Sequence, residues 1–144
     1  VSGVWSAERM RDLGRRHARV EAARQLEALM ETLVDEPVYE FHTLGLRLRG
    51  GARIRRYYRQ FFDDYLSKVS GGERLGEWVS ERAYVLESAI QVRGARGPEL
   101  HQVMSVLWAQ GERLGGERIY AGEHVVRAMA GSLFAELEPI PRTR

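Results

Sequence analysis

Four side chains have the type and placement for proton-transfer chemistry: His17, Glu87, Glu117 and Tyr120. An imidazole titrates close to neutral pH, so His17 can accept or release a proton under physiological conditions. His17 recurs with Met10, Leu13 and Val20 at spacings of three and four, on the apolar face of a helix that turns toward the core. A histidine there is either a core group satisfied by a carbonyl or hydroxyl, or a base lining a pocket. Glu87 sits mid-strand with Val85, Ala89 and Gln91, where a carboxylate must be solvated, paired or placed in a cavity. In a cavity its pKa rises and it can remove a proton next to a carbonyl; on the outer face of a sheet it pairs with an arginine. Glu117 and Tyr120 are three apart on one strand and point to opposite faces, so at most one of them reaches a pocket.

Aromatic residues are concentrated in Tyr57, Tyr58, Phe61, Phe62 and Tyr65. Together with Tyr39, Trp78 and Trp108 they either fill a core or wall a cavity for an apolar or aromatic ligand. His42, His101 and His124 share no metal-ligand spacing and cysteine is absent, so the sequence assigns no metal site, no disulfide and no thiol nucleophile. Arg47, Arg49, Arg53, Arg55, Arg56 and Arg59 form the one cationic cluster. With Asp63 and Asp64 close by and no nucleic-acid motif, it reads as a solvated, partly ion-paired surface.

The elements that must position these groups follow from periodicity. Ser6 caps a helix to about Ala22, and a second helix runs from about Arg24 to Val34, because the stripes Met10–Val20 and Leu26–Leu33 would face opposite sides of one straight helix. Asp35-Glu36-Pro37 closes it. Short strands follow over Val38–His42 and around Leu44, Leu46 and Leu48. A helix is expected over Ala52–Val69, a long strand over Trp78–Val92 and another over Leu100–Ala109. A shorter strand, Glu117–Tyr120, leads to a closing helix from Glu123 to about Leu137, and the tail from about residue 138 is expected to be loose. Helices followed by a helix-interrupted antiparallel meander give an α+β architecture with the helices on one face of the sheet.

The chain has 144 residues, enough for one domain spanning 1–144 with its own core. The 22 Lys and Arg nearly cancel the 20 Asp and Glu, a net +2 that does not argue for nucleic acid. No apolar run is long enough to span a bilayer and Val1–Met10 has no signal-peptide core, so the expected location is cytoplasmic, without membrane contact.

Four passages in this order resemble the nuclear transport factor 2-like superfamily, and within it the SnoaL-like group that includes polyketide cyclases. They are the helix with His17 followed by Gln25–Leu29 and then Asp35–Glu40; Gly50-Gly51 leading into Ala52–Tyr58; the alternating Tyr84–Ser88; and Gly116–Tyr120. The resemblance implies a cone-shaped, strongly curved, mainly antiparallel sheet with mixed edges. About three helices would lie on its concave face, around an apolar cavity. It also implies homodimerisation through the outer sheet face, and activities from isomerase, cyclase, dehydratase and epoxide hydrolase to pure binding. Tyr120 matches the family's pocket tyrosine, yet it is followed by Ala121-Gly122 where many members have an aromatic residue and an aspartate. The reading that results is an enzyme moving a proton on an apolar carbonyl compound by isomerisation, cyclisation or dehydration, without a cofactor. Glu87 or His17 is the base and Tyr120 positions the substrate oxygen. Tyr39, Tyr57, Tyr58, Phe61, Trp78, Trp108 and Glu117 line the pocket. The alternative is a non-catalytic protein of the same fold that binds an apolar ligand or dimerises.

Overall fold

A computed structural model describes residues 4–142. Helix α1 (Ala7–Ala22) starts where Ser6 accepts a hydrogen bond from the Arg9 amide at 3.1 Å. It ends at Arg24, whose backbone is left-handed (φ 56°), and the short α2 (Leu26–Glu31) follows. The break lets both apolar stripes reach the core. Strand β1 (Leu33–Phe41) pairs antiparallel with β2 (Leu46–Arg49). Helix α3 (Gly51–Gln60) then runs into a wider π-helical turn, Phe61–Tyr65, and a single 3-10 turn, Leu66–Lys68. The long strands β3 (Val69–Val79), β4 (Ala83–Gly94), β5 (Gly97–Gln110) and β6 (Arg113–Tyr120) form an antiparallel meander. Helix α4 (Glu123–Ala130), a 3-10 segment (Gly131–Glu136) and the two-residue β7 (Glu138–Pro139) complete the order.

The strands make one curved, unclosed sheet in the order β3-β4-β5-β6-β1-β2-β7. It is mixed because β1 runs parallel to β6, an interior pair of the sheet. The α+β class with helices on the concave side is thus the observed architecture. Gly14 shows how closely α1 lies on the sheet: a Cβ there would overlap the Tyr84 ring. No helix among the described residues is long and apolar enough to cross a membrane.

Three local expectations are corrected. Asp35-Glu36-Pro37 does not end a helix; it lies inside β1, where the pairing with β6 changes register between Leu33 and Val38. A proline is tolerated at such a bulge because it has no amide to contribute to the ladder. Trp78–Val92 is two strands, since Ser80 Oγ accepts from the amides of Arg82 and Ala83 (3.2 and 3.1 Å) and turns the chain between β3 and β4. The tail is anchored at residue 138: β7 pairs with β2, and Glu138 accepts from Arg47 and Arg49.

Inside the cone the rings of α3 and its π turn meet those of β1. Tyr57 stacks on Phe61 at 5.7 Å between centroids and Phe61 on Tyr65 at 5.1 Å, while Tyr39 meets Tyr58 edge-on. The wider turn lets the neighbours Phe61 and Phe62 both be buried.

Candidate active site

Tyr84, Leu86, Ser105, Leu107 and Glu117 are cross-strand neighbours on the concave face, and α1 places His17 and Glu21 over them. These residues and Ala18 enclose a void of about 40 Å3, room for one water. The void abuts a cleft of about 300 Å3 between α1 and strands β3 and β4, and Ala18 and Glu21 border both spaces. Small residues on α1, Ala18 and Ala22, keep the cleft open, and Leu66, Val69 and Ile90 make part of its wall apolar.

The hydrogen-bond pattern fixes the protons. Thr32 Oγ1 donates to the Leu29 carbonyl (2.6 Å), so it can only accept from His17 Nδ1 at 2.7 Å. His17 therefore carries its proton on Nδ1 and turns a lone pair on Nε2 toward Tyr58 Oη (3.4 Å) and Glu21 (3.7 Å). Burial pulls its pKa down to about 4, so the ring is neutral at pH 7 and a weak base. Tyr58 donates to Glu21 Oε2 at 3.2 Å, which leaves Tyr39 to donate to Tyr58 at 2.6 Å. Burial raises both phenol pKa values, so the two hydroxyls stay protonated and form a relay toward Glu21.

The two carboxylates are held up for different reasons. Burial raises Glu117 to about 8, the negative charge of Glu21 adds to this, and a hydrogen bond from Ser105 opposes it. Burial also raises Glu21, with the Tyr58 hydroxyl opposing. Because 31% of the Glu21 side chain stays exposed at the cleft while Glu117 is enclosed, Glu117 holds the proton more firmly. Near neutral pH the pair carries one ionised and one protonated carboxyl across a water-sized gap. His17, Glu21 and Glu117 each offer a ligand atom within 4.8 Å of the others, as do Glu99, His101 and His124 on the same side of the sheet farther along β5.

Of the residues singled out from sequence, His17 and Glu117 face this void, and Tyr39, Tyr57, Tyr58 and Phe61 are buried in the cone next to it. Glu87 and Tyr120 do not reach it. Glu87 is opposite Met104, which is opposite Tyr120, and this row lies on the face turned away from the helices, with Tyr120 39% exposed and its ring tilted against that of His42. The strand parity of Glu87 is opposite to that of Tyr84 and Leu86, which removes it from the cavity. Trp78 and Trp108 are on the same outer face: Trp78 is 52% exposed opposite Val85, and the Arg118 guanidinium covers the Trp108 ring at 4.8 Å. Sequence reasoning missed Glu21 and Ser105. The signal for Glu21 was its i,i+4 spacing from His17, which puts both on one helix face. The arginine cluster pairs with Glu138, Glu27 and Glu136, not with Asp63 or Asp64.

No family model and no curated protein matches the sequence. Solved structures do. An NTF2-like protein of unknown function from Cytophaga hutchinsonii superposes with a TM-score of 0.66 at 10% identity, covering 78% of this chain and 99% of that one. A protein of ketosteroid isomerase-like fold from Catenulispora acidiphila, in complex with trimethylamine, gives 0.60 at 15% identity over 83% and 92%. An LEH-like epoxide hydrolase from M. tuberculosis gives 0.63 at 17% identity over 91% and 96%. The similarity extends over most of each chain. This chain therefore has the cone-shaped fold of the nuclear transport factor 2-like superfamily.

Proposed function

We propose that the chain is a small-molecule enzyme that moves a proton on an apolar carbonyl compound, with Glu21 as base and Glu117 as acid. The observation that carries this reading is the convergence of two carboxyls of unequal pKa on one void at the inner end of an open cleft. Ionised Glu21 takes the proton from the carbon next to the carbonyl, and protonated Glu117 donates a hydrogen bond to the oxygen on which charge develops. Glu21, open to the cleft, exchanges this proton with solvent and returns one to another carbon, which completes an isomerisation with no net change in the enzyme. Tyr58 and Tyr39 hold Glu21 in place, and the neutral His17 ring packs edge-on against Tyr58. The scheme needs no cofactor. An isomerase-like or hydrolase-like neighbour lends it support by fold alone.

The test does not need the natural substrate. A panel of β,γ-unsaturated ketones in D2O, followed by proton NMR, reads deuterium uptake at the carbon beside the carbonyl. The expected result is uptake catalysed by the wild type, slowed about 10²- to 10⁴-fold in Glu21→Gln. Uptake that is equal in wild type and variant sinks the assignment of Glu21.

One observation favours a second reading. The void itself holds only a water, and aromatic rings fill the cone around it. In that reading the cleft binds an apolar ligand without chemistry, and saturable binding of such ketones with no deuterium uptake would identify it. Pairing of two copies through the outer sheet face is supported by the exposed Trp78, Met104 and Tyr120 on it.

A further inference from the structure

We propose that Glu99, His101 and His124 hold a divalent transition-metal ion of the zinc class in a second cavity, apart from the carboxyl pair. Glu99 and His101 are two apart on β5 and share its concave face, while α4 brings His124 over them from its first turn. Ser105 and His101 are four residues apart on β5, so the two sites are separated by about 13 Å along the strand.

The three groups are already gathered around one point. Glu99 Oε2 lies 2.9 Å from His101 Nε2 and 2.9 Å from His124 Nε2. The two rings meet edge to face, with centroids 5.8 Å apart and planes at 86°, so their Nε2 atoms converge from different directions. An ion bound at zinc–nitrogen and zinc–oxygen lengths of about 2.0–2.2 Å in tetrahedral geometry spaces its ligands about 3.4 Å apart. The two Glu99 contacts need open by only about half an ångström to admit it, and all three ligand atoms already lie within 4.8 Å of one another. Two imidazoles and one carboxylate are a donor set suited to first-row ions of this kind.

The surroundings fit the same reading. His101 is buried, and its Nδ1 is 2.9 Å from Tyr65 Oη, which fixes the ring. With Glu99 as sole partner, His101 keeps its proton on Nε2 and accepts from Tyr65. With an ion on Nε2 the proton moves to Nδ1 and Tyr65 accepts it, a change a phenol can make without moving. The cluster borders a cavity of about 360 Å3 whose wall includes Lys68 and Arg93. A fourth coordination position thus opens onto a space large enough for a small ligand, and these cations favour an anionic one.

Zinc titration of tag-free, chelator-stripped protein by calorimetry tests the site, with cobalt(II) as a spectroscopic probe of the ligand field. One ion per chain is expected, with the visible absorption of low-coordinate cobalt. Tyr65→Phe should weaken binding about tenfold, and His124→Ala and Glu99→Gln by more than that. His124 is 74% exposed on the side chain, so its removal leaves the fold intact. His42→Ala, on the opposite face, should change nothing. The proposal is overturned by a wild type that takes up no zinc at millimolar concentration, or by binding that survives both His124→Ala and Glu99→Gln. It is equally overturned if binding is lost in Glu117→Gln but kept in His124→Ala, which puts the ion at His17, Glu21 and Glu117 instead.

Discussion

His17 keeps its tautomer only while Thr32 accepts its Nδ1 proton. Thr32→Val preserves shape but leaves a buried N–H without a partner, which should destabilise the fold by about 1–3 kcal/mol in urea denaturation. A smaller loss would mean that the ring finds another acceptor. Glu117 makes a prediction of opposite character. Its pKa is about 8 in the folded chain against an ordinary 4.5, so between those values the folded state keeps a proton that the unfolded state has lost. The stabilisation is complete below about pH 4.5 and disappears as pH rises through 8. Through Glu117 the unfolding free energy should therefore fall by a few kcal/mol from pH 5 to 8, against a smaller rise through His17, whose lowered pKa acts in the opposite sense. Glu117→Gln should flatten that slope, and urea melts at three pH values would read the difference. At this scale the sequence disclosed His17 as an inward-facing titratable group. It did not disclose Glu21, because a glutamate four residues farther along an arginine-rich helix looks like one more solvated charge.

At the scale of elements, the docking of α1 on the sheet decides whether His17 and Glu21 reach Glu117. Gly14 permits the close approach to β4. Gly14→Ala gains about 1 kcal/mol of helix propensity but drives a methyl into the Tyr84 ring, and overpacking of this kind costs about 1–3 kcal/mol. A net loss in thermal stability is expected, together with a larger loss of deuterium uptake, since α1 carries the base. A more stable Gly14→Ala would show that the helix can lift without penalty. Gly116 has a comparable role in the parallel pair. Its φ of 148° and its contact with the Val38 carbonyl leave no place for a side chain where β6 meets β1. Helices with a strong apolar period were legible in sequence, and so was the β4–β5 hairpin. Strand β3 was not, because Ser70–Gly76 is an edge strand with exposed polar residues and no apolar alternation.

For the whole molecule, the curved sheet divides its residues between an inner face that carries His101, Glu99 and Glu117 and an outer face with Trp78, Met104 and Tyr120 exposed. Pairing of two copies through that outer face predicts that Met104→Glu shifts sedimentation from dimer to monomer while leaving the circular dichroism spectrum unchanged. An unchanged sedimentation coefficient would remove this face as the interface. By itself the sequence determined the α+β class, the inward turn of His17, and the rule that Glu117 and Tyr120 cannot share a face, because each follows from a local period of 3.6 or 2 residues. Which strand face becomes the inside of the cone is a different kind of fact. It depends on which side α1 packs against, a contact between residues some seventy positions apart, and that alone turned Glu87 and Tyr120 outward and Glu117 inward. The meeting of Glu99 and His101 with His124 is likewise tertiary: α4 must fold back over β5 before a spacing that means nothing along the chain becomes three donors around one point.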